Sequence, residues 1–198
     1  MRSFESNRAF VRACLAEMPD YERAGKIFWT LSALPPAGTP AFLQMTLGNI
    51  ILALDEIRAL EPGLKANERT VLEQLLGEWR AIRAGASARL EHLAMREADS
   101  RIAQFRTYTS EALERGDLSD YAANVRPRLC ALRLLEWLGA DHPGVRIAHQ
   151  ELAAIDLRLT PRMEAGPFVL EHELAAVYPP APAYHFLRQR PLPSKDAS

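Results

Sequence analysis

Pro40-Ala41-Phe42-Leu43-Gln44-Met45-Thr46-Leu47-Gly48-Asn49-Ile50-Ile51-Leu52-Ala53-Leu54-Asp55-Glu56-Ile57-Arg58-Ala59-Leu60 is the stretch on which the fold turns. Phe42, Leu43, Met45, Leu47, Ile50, Ile51, Leu52, Leu54 and Ile57 fall on nearly every side of a helix of 3.6 residues per turn. A helix that is apolar all round is buried all round. The spacing therefore predicts a central helix over about 39–60, with Thr39 as its cap and Pro40 as its first helical residue. Pro62-Gly63 closes it. A core helix of that length, with helical periodicity on both sides, makes the chain all-α.

Upstream, not one charge falls between Lys26 and Asp55. A membrane-spanning helix needs about 20 continuous apolar residues, and Pro35-Pro36-Ala37-Gly38-Thr39-Pro40 splits this run in two. The expectation is two buried core helices and no membrane span. The first of the pair, about 21–34, is capped by Asp20 and turns Ile27, Phe28, Leu31 and Leu34 inward. Before it, Ser3 caps a helix over 4–17 whose stripe is Phe4, Val11, Cys14 and Leu15, and Pro19 ends it.

Downstream, Asn67 opens the longest periodic segment, about 68–115. Leu75, Trp79, Ile82, Ala86, Leu90, Ala94, Ala98, Ile102, Phe105, Thr109 and Leu113 step by three or four. Continuity is favoured over a break at Ala84-Gly85-Ala86-Ser87, where glycine would cap one helix and serine the next. Its narrow alanine stripe between charges suits a single neighbouring helix or a second subunit. Helical pattern continues over 118–139, kinked or restarted at Pro127, and from Pro143 to about Thr160. The expected architecture is an irregular bundle of about six helices including one long helix. Beyond Thr160 lie half of the chain's 14 prolines. They are interleaved with Phe168, Val169, Leu170, Tyr178, Tyr184, Phe186 and Leu187. The reading is a helical domain over 1–160 and a Pro-rich extended arm over 161–198. The arm docks on the helical body or on a partner, with disorder from Leu192.

Composition excludes several classes. A net charge of −1 supplies no field for DNA or anionic lipid. The excess of arginine over lysine is what the codons of a GC-rich bacterial genome would give. Cys14 and Cys130 sit among apolar neighbours, with no Cys-x-x-Cys, so they read as buried free thiols. The N-terminal residues lack an apolar signal core, and a cytoplasmic location is expected. His92, His142, His149, His172 and His185 include no pair at the four-residue spacing that shares a metal. The Glu171-His172-Glu173 triplet reads as a solvated turn, and Asp55-Glu56 as a solvated face. No phosphate loop or nucleophile elbow is present. No cofactor, metal or catalytic residue is assigned.

What remains is contact chemistry. Arg126, Arg128 and Arg133 are the candidate anion or partner contacts, and Phe168, Tyr178, Tyr184 and Phe186 the candidate docking contacts of the arm. The leading expectation is a non-enzymatic scaffold, adaptor or assembly protein acting through a protein partner or homo-oligomer. The alternatives are a small helical enzyme or ligand-binding protein with an interhelical pocket, and a nucleic-acid-binding regulator using the Arg126–Arg133 region. A nucleic-acid partner is disfavoured because no basic face or reading helix is evident.

Overall fold

The computed structural model describes residues 3–192, and within them the chain is all-α apart from one small two-stranded ladder. Seven α-helices are described: α1 (Phe4–Ala24), α2 (Leu47–Ala59), α3 (Ala66–Ala84), α4 (Ala88–Arg115), α5 (Tyr121–Asn124), α6 (Arg126–Leu138) and α7 (Val145–Leu159). Strands β1 (Met163–Ala165) and β2 (Gln189–Pro191) pair antiparallel.

The central helix is α2. It packs against α1, α4, α6 and the short turn His172–Ala176, and Ile50, Leu54 and Ile57 are buried. Each buried aliphatic side chain contributes about 1.5–3 kcal/mol. Its start differs from the sequence reading. Thr46, not Thr39, is the cap, its hydroxyl accepting from the Asn49 amide at 3.0 Å. Thr39 is instead spent in a turn, where its amide and hydroxyl both reach the Pro36 carbonyl and Gly38 takes φ +79°.

The expected helix over 21–34 is absent. Helix α1 carries straight through Pro19 to Ala24 and closes on Gly25 at φ +66°. A proline inside a helix costs about 3 kcal/mol. The burial of Met18 and Tyr21 on either side of it offsets that cost. Residues 26–46 then run without helix, held by one isolated bridge between Trp29 and Met45. Phe28 and Leu34, read as inward, are exposed.

The long segment also takes the break that its pattern disfavoured. Gly85 closes α3, and Ser87 caps α4 by accepting from the Leu90 amide at 3.2 Å. The stripe of α4 is the one expected: Leu90, Ala94, Ala98, Ile102 and Phe105 are all buried, and the small alanines let α6 lie close. Pro127 starts α6 rather than kinking a longer helix. The last helix buries Leu152, Ile155 and Leu159, while Ile147 lies out in solvent.

Past α7 the chain doubles back as short 3-10 turns, His172–Ala176 and Pro182–Arg188, between the paired strands. Leu174, Tyr178, Phe186 and Leu187 are buried in the same core as the helices. Disorder is expected from Leu192, yet Leu192 donates its amide to the Arg162 carbonyl at 2.9 Å; residues 193–198 lie outside the described residues.

Candidate functional site

The three arginines of α6 do not converge on one anion. Each faces a carboxylate of the chain itself. Arg126 reaches both oxygens of Glu171 at 2.7 and 2.8 Å and Glu56 at 3.4 Å. Arg128 takes Asp156 with two nitrogens and lies over the Phe186 ring at 3.5 Å. Arg133 clasps Asp55 at 2.8 and 3.1 Å and pairs with Glu136. Arg126 and Arg133, seven positions apart, share a face of α6 but lie roughly 10 Å apart along its axis, and Arg128 projects from the opposite side.

The aromatic residues of 161–192 meet those same groups. Tyr178 is buried and donates its hydroxyl to Asp55 Oδ2 at 2.8 Å. Tyr184 is half-buried, donates to Glu136 at 2.8 Å and packs on Tyr178 with ring centroids 5.2 Å apart. Phe186 is buried, and its carbonyl accepts from the Tyr121 hydroxyl at 2.8 Å. Phe168 is partly buried with Arg188 over its ring. Burial first, then Asp55, pushes the Tyr178 phenol well above its ordinary value, and Tyr184 is pushed up to about 12.

Asp55 and Glu56 correct the sequence reading, for both are buried rather than solvated. Adjacent on α2, they diverge, Asp55 towards Arg133 and Tyr178 and Glu56 towards Asn7 and Arg126. Glu97 on α4 is a third buried acid, accepting from the Gly48 amide at 3.0 Å and from Arg101 at 3.2 Å. Cys130 lies 3.8 Å from Glu97, and burial pushes its thiol far up, so it is no nucleophile at neutral pH. Among the described residues no group of three or more His, Cys, Asp or Glu is placed to hold a metal, and no helix is long and apolar enough to cross a membrane.

The loop over 26–46, without a charge after Lys26, is the feature the sequence reading missed. Phe28 is 47% exposed, Leu34 87% and Leu43 44%; no charge falls between them in the sequence, and the Arg101 guanidinium of α4 lies 6.0 Å from the Phe28 ring centroid. Loops beyond about 12–15 residues without their own secondary structure are uncommon in compact domains and are usually functional or disordered. This one is stitched down. Glu17 on α1 accepts from the Trp29 indole at 2.8 Å, from the Ser32 amide at 2.8 Å and from the Ala33 amide at 3.3 Å. Partial burial raises the Glu17 carboxyl, but those donors outweigh it and hold it below the ordinary value. Tyr21 donates to the Ile27 carbonyl at 3.1 Å, and Phe42 packs on Phe10 with centroids 6.0 Å apart. One side of the loop is therefore pinned to α1 while Phe28, Leu34 and Leu43 face solvent. The only sequence signal for this was the proline cluster at 35–40, which resists both helix and strand.

No family model, no curated protein and no solved structure matches the chain.

Proposed function

We propose that the chain is a non-enzymatic helical adaptor or assembly protein of the cytoplasm, and that the loop over 26–46 is the face it offers to a protein partner. The observation that carries the reading is the exposure of Phe28, Leu34 and Leu43 on a long uncharged loop that is held in shape. Contiguous exposed apolar surface marks interaction sites, and these three side chains share one pinned loop. A loop pinned before it meets its partner loses less conformational entropy on binding. With no charge from Ile27 to Leu54, recognition rests on shape and apolar area. The fitting partner is a protein with an uncharged apolar groove that takes a proline-bearing turn.

The reading as a nucleic-acid-binding regulator has less to stand on. Arg126, Arg128 and Arg133 are each paired with carboxylates of the chain, and freeing them for phosphate would break those pairs. Enzymatic function draws no support from the buried thiols, though an interhelical pocket lies between α2, α3 and α6.

The test is a Phe28→Ser/Leu34→Ser/Leu43→Ser variant compared with wild type by crosslinking and mass spectrometry in the cells that make the protein, and by light scattering of purified protein against concentration. Exposed substitutions of this kind shift stability by roughly 0.5 kcal/mol or less each, so the fold persists. The expected result is a defined partner crosslinked through 26–46 in wild type and lost in the variant. Concentration-dependent mass growth in wild type alone makes the partner a second copy. Identical crosslinks and identical scattering for both proteins overturn the proposal.

A further inference from the structure

A cleft of about 470 Å³ opens between α2, α3 and α6, lined by Ile51, Leu54, Leu76, Trp79, Trp137 and a rim of charged side chains. Helix α3 touches both α1 and α2 only lightly, and the cleft lies beside it. Its size falls within the range of small-molecule sites, roughly 300–1,000 Å³, and its exposed lining is more polar than apolar. The two indoles lie with ring centroids 6.1 Å apart and form an aromatic wall.

The rim divides into groups already engaged and groups still open. Asp55 and Glu136 line the cleft, but Arg133, Tyr178 and Tyr184 hold their carboxylates. Two further carboxylates, Glu61 and Glu73, and three other guanidiniums, Arg58, Arg80 and Arg83, complete the charged lining. Arg58 lies 3.9 Å from Asp55; Arg80 lies 4.0 Å from Glu73 and donates its Nε to the Leu76 carbonyl at 3.1 Å, which leaves its terminal nitrogens outward. Arg83 donates to the main-chain carbonyl of Glu136 at 3.0 Å. Guanidinium groups present planar, forked donors that match carboxylate, sulfonate or phosphate oxygens and also stack on aromatic faces. An aromatic floor beneath loosely paired arginines has a definite complement.

We infer that this cleft is a binding site for a small planar aromatic anion, its ring on Trp79 and Trp137 and its acidic group towards Arg80 and Arg83. This site is separate from the loop over 26–46, and neither reading depends on the other.

The probe is 8-anilinonaphthalene-1-sulfonate, with the neutral N-phenyl-1-naphthylamine as its control. The chain has three tryptophans, so a Trp29→Phe background leaves Trp79 and Trp137 as the only donors for energy transfer. The expected result is saturable quenching of their emission by the sulfonate, about tenfold weaker binding of the neutral analogue, and a similar loss in Arg80→Gln/Arg83→Gln. Both arginines are exposed, so the melting temperature of that variant should stay close to wild type. A Leu34→Ser variant should bind the sulfonate unchanged, which excludes the loop as the source of signal. Equal affinity for the two probes, unaltered sulfonate binding by the double variant, loss of binding in Leu34→Ser, or no saturable quenching would each overturn the inference.

Discussion

Replacing Tyr178 by phenylalanine removes one oxygen and leaves the ring in place. That oxygen donates to Asp55 Oδ2 at 2.8 Å, and both residues are almost wholly buried, 1% and 2% exposed. A hydrogen bond to a charged group contributes about 1.5–3 kcal/mol. Asp55 keeps both donors from Arg133 in the variant, so no bare carboxylate is left to add a further penalty. The expected loss for Tyr178→Phe is therefore about 1.5–3 kcal/mol. Asp55→Asn is different in kind, because it takes one of two counter-charges from a largely buried guanidinium and leaves Glu136. Breaking a buried pair from one side costs about 3–5 kcal/mol, and the remaining Glu136 pair places the expected loss at the lower end. Since the two changes share one hydrogen bond, the double variant should lose roughly 1–2 kcal/mol less than the sum. Urea unfolding at neutral pH measures all three, read at constant m-value so that the change is one of stability. A Tyr178→Phe loss below about 0.5 kcal/mol, or strict additivity with Asp55→Asn, would show that 161–192 does not sit on α2 as described.

Gly48→Ala should cost about 1–3 kcal/mol through overpacking, because a methyl there collides with Cys130 Sγ and Glu97 Oε1. Chemical unfolding measures the loss, and Cys130→Ala in the same chain should recover part of it. Ile51→Ala should cost about 2–5 kcal/mol in the same assay, and a loss under about 1 kcal/mol would remove α2 from the centre of the core. All five tyrosines have phenols raised above the ordinary value of about 10, chiefly by burial, with Tyr108 and Tyr184 at about 12. Folding thus binds these protons more tightly, so stability is intact below about pH 10 and falls as pH rises towards about 12. Absorbance at 295 nm should stay flat through pH 10 and rise only above it. The Glu17 carboxyl is depressed, so its hold on the loop is complete above the ordinary value of about 4.3 and is lost as pH falls through the lower folded value. Trp29 emission should report that release on acidification, and Glu17→Gln should shift or abolish it.

What the sequence showed best was apolar periodicity. The stripe of α4 and the core residues of α2 could be read because their neighbours are set by local spacing. The absence of charge was a poorer guide. From Ile27 to Gln44 it marked a loop that leaves Phe28, Leu34 and Leu43 exposed, because absence of charge does not distinguish surface from core. Pro19 misled in the other direction. Its local penalty is real, but burial of Met18 and Tyr21 by distant parts of the chain outweighs it. Asp55 could not be read as buried because its partners lie 78 and 123 residues away, at Arg133 and Tyr178. Arg126, Arg128 and Arg133 looked like one basic cluster for the same reason, since the carboxylates that separate them come from α2, α7 and the arm.

The ladder between β1 and β2 has one more consequence. Met163 pairs with Pro191 and Ala165 with Gln189, and the Gly166 amide adds a bond to the Arg188 carbonyl at 2.9 Å. The last described stretch is therefore a ring closed on itself, not a dangling end. A single protease cut between residues 167 and 183 would leave the upstream fragment joined to α7. The downstream fragment would still be held by the ladder, by Arg128 over Phe186 and by the Tyr184 hydroxyl on Glu136. Such a nicked protein should migrate as two pieces in denaturing gel and as one particle in solution, much as a severed hoop stays on a barrel while its rivets hold.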